Sequence, residues 1–126
     1  MKYLLDTHTL IWFLFSDTKL PDKIRNLILD ETDVYVNIIS IWEIAIKMRI
    51  KKLNIQYTPL DIMGLCDNES LQLLNIAIWH VNETLNLPLI HRDPFDRMLI
   101  AQAKVEDMTL ITCDQYIPQY PIKTVW

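Results

Sequence analysis

Short apolar runs alternate with longer amphipathic stretches along this chain. The runs are rich in aliphatic and β-branched residues and predict strands at 2–5, 34–37, 71–75, 109–112 and, less regularly, 122–125. Between the runs, apolar residues recur every three to four positions, as on the buried face of a helix. Strands that alternate with helices favour right-handed βαβ crossovers and a mostly parallel sheet. The pattern predicts an α/β fold with a mostly parallel sheet of four to five strands.

Several helix starts are marked by local sequence signals. Pro21 and Pro59 each suit the first turn of a helix. Ser40 and Glu43 have the spacing of a capping box, which predicts a helix from Ser40 to about Lys51. Further helices are predicted over 7–15 and 77–85, and the strongest helical pattern follows residue 94. No repeat or linker separates these elements, so we expect one domain over residues 1–126.

The composition limits the function classes. The chain has 126 residues and only one glycine, which excludes the glycine-rich loops that bind phosphate or dinucleotides. Its net charge of −4 provides no general basic surface for nucleic acid. A protein of this composition that acts on nucleic acid would need a metal cation or a local basic patch. The segment 47–52, with four basic residues, is the best candidate for such a patch.

Cysteine use and hydropathy indicate a cytoplasmic protein. Cys66 and Cys113 lack the spacing of a metal-binding or redox pair, and we expect both to be free thiols. The apolar run at 11–15 is too short for a membrane span, and polar residues precede it. We therefore expect no membrane association.

Five acidic residues are predicted to meet at one edge of the sheet. Asp6 ends the first strand, Asp114 follows the fourth, Glu43 lies in the helix after the second strand, and Asp93 and Asp96 open a later helix. Ligands of open α/β sheets bind beyond the carboxyl ends of the strands. Clustered carboxylates repel one another, and a hard cation such as Mg²⁺ or Mn²⁺ would relieve that repulsion. The pattern indicates an acidic metal site.

Each acid also has a purely structural explanation, which the sequence leaves open. Asp6 and Asp93 have the positions of helix N-caps, and Glu43 would complete the capping box. Asp96 would interact favourably with a helix dipole, and Asp114 is typical of a turn.

Four segments resemble a known family. They are YLLDTHTLIWFL, NIISIWEIAIK, HRDPFDRMLIAQA and LITCD, in that order along the chain. Together they are similar to the PIN-domain ribonucleases, and among these to the VapC-type toxins of toxin–antitoxin pairs. The resemblance implies a three-layer α/β/α fold and Mg²⁺- or Mn²⁺-dependent endoribonuclease activity. It also implies a cognate antitoxin and a homodimer.

The resemblance implies a role for individual residues. The family's four acids, which bind metal and carry catalysis, correspond to Asp6, Glu43, Asp96 and Asp114. Asp93 is an additional acid of the site. Thr7 and Thr112 match small hydroxyl positions beside the acids, where they would hold a carboxylate or a metal-bound water. Arg92 and Arg97 flank the site, either as phosphate contacts or as solvated arginines at a helix end. His91 is either structural or a substrate contact.

Three alternatives are weighed against this assignment. A receiver-type signalling module needs paired acids after the first strand and a lysine where Asp114 stands. A haloacid-dehalogenase-type phosphatase needs a second Asp where His8 stands. The third alternative is a PIN-fold protein that binds without cleaving, against which the complete set of four acids argues.

Overall fold

A five-stranded sheet forms the centre of the computed structural model, which describes residues 1–126. All neighbouring strands are parallel, and their order across the sheet is β3-β2-β1-β4-β5. The predicted mostly parallel sheet is confirmed, including the weaker fifth strand. The strands are β1 (Tyr3–Leu5), β2 (Val34–Asn37), β3 (Gln72–Leu74), β4 (Thr109–Ile111) and β5 (Lys123–Val125).

Six α-helices connect or follow the strands. They are α1 (Thr7–Leu14), α2 (Asp22–Asp30), α3 (Ile38–Arg49), α4 (Pro59–Asn68), α5 (Ile78–Glu83) and α6 (Pro94–Val105). Two short 3-10 turns lie at Thr84–Asn86 and Ile117–Gln119. No helix has the length and apolar character needed to cross a bilayer.

The alternation of side chains along β1 divides the core into two clusters. Tyr3 and Leu5 belong to a cluster of 15 buried residues that includes side chains from α1, α2 and α4. Leu4 points to the opposite face and belongs to a cluster of 11 that includes the buried side of α6. Helices therefore cover both faces of a sheet that is buried on both sides, which gives the predicted α/β/α layers.

The start of α3 differs from the predicted capping box. The helix begins at Ile38, and its N-cap is Asn37, whose side-chain Oδ1 accepts a hydrogen bond from the backbone N–H of Ile39 at 3.0 Å. Ser40 lies inside the first turn instead of capping it. Since the capping position is already filled by Asn37, Glu43 has no capping role, and its carboxylate is available for other contacts.

A buried polar network ties α3 to α5 and α6. The amide of Asn37 donates to the Gln102 side-chain oxygen, and Gln102 donates to the carbonyl of Asn75 at 3.2 Å. His80 Nδ1 accepts a hydrogen bond from the backbone N–H at the N-cap of α5, and His80 Nε2 lies 2.9 Å from Glu106 Oε1. Every buried side-chain polar atom in the structure has a hydrogen-bond partner. The network therefore fixes α6 against the N-cap of α3 without an unsatisfied group.

Candidate metal centre

The carboxyl edge of the sheet positions the four acids from separate parts of the chain. Asp6 directly follows β1 and caps α1, where its Oδ1 accepts from the N–H of Thr9 at 2.8 Å. Asp114 follows the neighbouring strand β4. Glu43 lies on α3, which begins at the end of β2, and Asp96 lies in the first turn of α6.

Asp96 is the electrostatic centre of this group. Burial and the negative charges of Asp93, Glu43 and Asp6 raise its pKa to about 7, while His91 acts in the opposite direction. The neighbouring acids are thus close enough to make loss of the Asp96 proton less favourable. A divalent cation would offset this excess of negative charge.

Asp6 is held in place by hydroxyl and amide donors. It is only 4% exposed, and burial raises its pKa, whereas hydrogen bonds from Thr112 and Thr9 lower it. The Thr112 hydroxyl oxygen also accepts from the N–H of Asp114 at 3.1 Å. Thr112 therefore links the two acids that follow β1 and β4, and its partner is a carboxylate, one of the two options that the resemblance implied.

Glu43 is held from both sides. The Thr7 hydroxyl donates to Glu43 Oε1 at 2.7 Å, and the Lys47 ammonium lies 3.1 Å from Oε2. The Ser40 hydroxyl lies 3.1 Å from the Thr7 hydroxyl. The hydroxyl hydrogen of Thr7 is used in its bond to Glu43, so Ser40 is the donor in the Ser40–Thr7 pair. The Thr7 hydroxyl orients the Glu43 carboxylate, and Lys47 is its counter-ion.

His91 occupies a position in the site that the sequence did not reveal. Its Nε2 lies 3.0 Å from Asp96 Oδ2 and 3.1 Å from Asp114 Oδ2, and these three atoms form one compact group. Its Nδ1 accepts from the backbone N–H of Asp93 at 3.2 Å, which places the ring proton on Nε2, towards the carboxylates. His91 thus joins Asp96 and Asp114 as a hydrogen-bond donor. The only signal for this role was its place two residues before the cap of α6.

Asp93 and Asp114 each serve the backbone as well. Asp93 Oδ1 accepts from the N–H groups of Phe95 and Asp96 at 2.8 and 3.2 Å, so the N-cap interpretation is confirmed. Asp114 Oδ1 accepts from Tyr116 and Ile117 at 2.7 and 3.2 Å, which is the turn role weighed above. In Asp114 the second oxygen faces His91, so one carboxylate supports the turn and the site together.

The two arginines have different environments. The Arg97 guanidinium donates to backbone carbonyl oxygens at 2.8–3.4 Å, those of Thr84, Leu87, Pro88 and His91. These contacts use Arg97 to hold the segment before α6. Arg92 is exposed and lines the cavity of about 600 Å³ beside this segment. The phosphate contact stays a prediction for both arginines, and Arg92 is the one with the freer side chain.

The donor set of the site suits a hard divalent cation. His91, Asp96 and Asp114 each offer one ligand atom, and these atoms lie within 4.8 Å of one another. Two of the three are carboxylate oxygens, the ligands that hard cations prefer. Cys113 lies nearby, but burial and the charges of Asp6 and Asp114 raise the pKa of its thiol, which disfavours a thiolate ligand.

Comparison with known proteins places the chain in a family. The model of the PIN domain matches residues 3–123. The fold is similar to that of a chain in DNA-bound VapBC from Salmonella typhimurium, with 18% identity, a TM-score of 0.71, and coverage of 99% of this chain and 97% of that chain. It is also similar to a chain of VapBC2 from Rickettsia felis bound to a promoter DNA fragment, with 16% identity, a TM-score of 0.69, and coverage of 100% of this chain and 99% of that chain. A third similar structure is FitAcB from Neisseria gonorrhoeae, with 17% identity, a TM-score of 0.65, and coverage of 98% of this chain and 96% of that chain. No curated protein sequence matches the chain. The match over residues 3–123 shows that the chain belongs to the PIN domain family.

Proposed function

We propose that this chain, as a single domain over residues 1–126, is a metal-dependent endoribonuclease and the VapC-type toxin of a toxin–antitoxin pair. The observation that carries the proposal is the acidic site, where Asp96 and Asp114 meet at His91 and where burial, followed by the charges of Asp93, Glu43 and Asp6, raises the pKa of Asp96 to about 7. Such a site favours a divalent cation, and family membership supports the nuclease class. Membership also argues against the receiver-type and phosphatase alternatives.

The residues of the site divide the work of cleavage. Mg²⁺ or Mn²⁺, when bound, would activate water and stabilise the leaving oxygen of a phosphodiester. Asp6, Glu43, Asp96 and Asp114 would hold the cation, while Thr7 and Thr112 keep two of these carboxylates oriented. No Ser–His or Cys–His pair is within hydrogen-bond distance to act as a nucleophile of the protein's own.

The partners follow from the similar structures and from the surface. VapBC is the complex named for two of the similar structures, and a third, from Klebsiella pneumoniae, is described as a toxin–antitoxin complex. This supports an antitoxin as the partner of the present chain. An RNA substrate would be met in the cytoplasm, where we place the protein.

A homodimer is supported by the exposed side of α5. Ile78, Trp79 and Val81 on this helix and Leu85 after it are all exposed large apolar side chains. A patch of this kind on a chain of 126 residues is typical of a protein–protein interface. We propose that this surface, the α5 patch, pairs two copies of the chain.

Cleavage assays with a matched pair of variants test the nuclease proposal. Asp6→Asn keeps an oxygen to cap α1 but loses the charge that the cation needs, whereas Asp30→Asn removes an exposed charge at the end of α2. Structured RNAs should be cut by the parent and by Asp30→Asn with Mn²⁺, and by neither with excess EDTA. Asp6→Asn should be inactive yet folded by circular dichroism. Cleavage that persists in EDTA or in Asp6→Asn refutes the metal mechanism, and no cleavage of any RNA favours the binding-only alternative.

A further inference from the structure

Among the four acids of the site, Glu43 alone forms an ion pair with a lysine or arginine. Its partner is Lys47, one helical turn further along α3. The Lys47 side chain is 30% exposed, while that of Glu43 is 9% exposed. The Lys47 side chain therefore reaches from the partly exposed surface of α3 to a buried carboxylate of the site.

A negatively charged substrate needs a positively charged side chain beside these carboxylates. A phosphate that approaches the carboxylates of Asp6, Asp96 and Asp114 is repelled unless positive charge faces it. Arg97 is used by backbone carbonyls, and Arg92 lines the cavity beside the start of α6. On the α3 side, Lys47 is the basic side chain that already reaches an acid of the site.

We propose that Lys47 binds the phosphate of the RNA at the cleavage site, after a divalent cation has taken over its role as counter-ion of Glu43. In the structure the ammonium lies 3.1 Å from Glu43 and is its counter-ion. With a cation bound, the charge of Glu43 is compensated from inside the site, and the flexible lysine side chain is free to turn towards solvent and phosphate. This inference rests on the proposed nuclease function and names a substrate contact within it.

A purely structural role for Lys47 makes the opposite prediction for metal binding. If Lys47 were needed to orient Glu43, its removal would weaken Mn²⁺ binding. Glu43, however, is fixed at Oε1 by the Thr7 hydroxyl at 2.7 Å and is buried on a well-packed helix. As a competing positive charge, Lys47 should instead oppose the cation, so that its removal leaves Mn²⁺ binding unchanged or tighter.

The experiment compares Lys47→Gln, Lys47→Arg and a control, Lys104→Gln. Lys104 also forms an ion pair, with Glu83 at 2.6 Å, but lies towards the far end of α6. Mn²⁺ affinity is measured by titration calorimetry without RNA, and kcat and KM are measured for RNA cleavage at saturating Mn²⁺. Thermal melts confirm that all variants fold.

For Lys47→Gln we expect equal or tighter Mn²⁺ binding together with a fall in kcat/KM of about 10- to 100-fold, the loss typical of a hydrogen bond between charged groups. Lys47→Arg should retain most activity, and Lys104→Gln should match the parent in both measurements. Weaker Mn²⁺ binding by Lys47→Gln, or cleavage at the parental rate, overturns the proposal while the nuclease function stands. An inactive parent instead overturns the nuclease function, and the phosphate contact with it.

Discussion

Asp96 retains its proton to higher pH in the folded protein than in the unfolded chain. Its folded pKa is about 7 against an ordinary value of 3.8, because of burial first and the neighbouring acids second. Between about pH 4 and 7 the folded state therefore holds a proton that the unfolded state has lost, and stability falls as the pH rises. The penalty from this one group is on the order of 2–4 kcal/mol at and above neutral pH.

We therefore predict that Asp96→Asn reduces the loss of stability between pH 4.5 and 7.5 in the metal-free protein. Urea unfolding in EDTA at several pH values measures the free energy of unfolding. Asp107→Asn, at an exposed acid outside the site, serves as the control and should keep the parental slope. An unchanged slope in Asp96→Asn would show that the acids do not interact as described.

Individual residues also show what the sequence could not predict about the site. Asp6, Asp96 and Asp114 were identifiable because they follow a strand or open a helix, and helix and strand ends are visible as patterns. The contacts of His91, Arg97 and Lys47 depend instead on which atom each side chain reaches across the fold. Long side chains have many rotamers, and only the assembled structure selects one.

At the level of elements, the first turn of α6 carries two acids with different tasks. Asp93 caps the helix through Oδ1, and Asp96 lies one turn further on. We predict that Asp93→Ser, which keeps an acceptor for the N–H groups of the first turn, folds normally and keeps appreciable cleavage. Asp96→Asn should lose activity by on the order of 10²-fold or more, since it removes a charge that stabilises the transition state.

Parallel cleavage assays and melting curves on these two variants distinguish a capping role from a role in the metal site. Equal inactivity of Asp93→Ser and Asp96→Asn, with both folded, would make Asp93 part of the metal site. Asp93→Ser that unfolds at a much lower temperature would show that the serine hydroxyl does not replace the cap, and Asp93→Asn would then carry the comparison.

The elements themselves were predictable to within a few residues, with one instructive exception. The pattern of apolar positions marks buried faces reliably, which is why all five strands and the helix after Pro94 were found. The start of α3 was misplaced because Asn37 ends β2 and caps the helix without an intervening loop. Two signals competed for the cap, and the buried contact of Asn37 with Gln102 favours the earlier one.

For the whole molecule, the α5 patch predicts self-association. Trp79 is 60% exposed there, and replacing it by lysine places a charge in the proposed interface. We expect the parent to have the mass of two chains in light scattering at micromolar concentration, and Trp79→Lys to have the mass of one. Leu60→Lys, at an exposed position of α4, is the control and should remain dimeric. A monomeric parent, or a dimeric Trp79→Lys, contradicts the proposal.

The adjacency of β1 and β4 has a consequence for the order of events during synthesis. Tyr3 pairs with Thr109, so the strand that leads to Asp6 finds its neighbour more than a hundred positions later. Until that neighbour has been translated, β1 lacks its partner on one side, and Asp114, which follows β4, is not yet available to complete the site. Pairing across so long a loop is a late step in folding. A chain on the ribosome therefore cannot assemble the acidic site before it has been synthesised through β4 and Asp114, and any activity of that site is withheld until then.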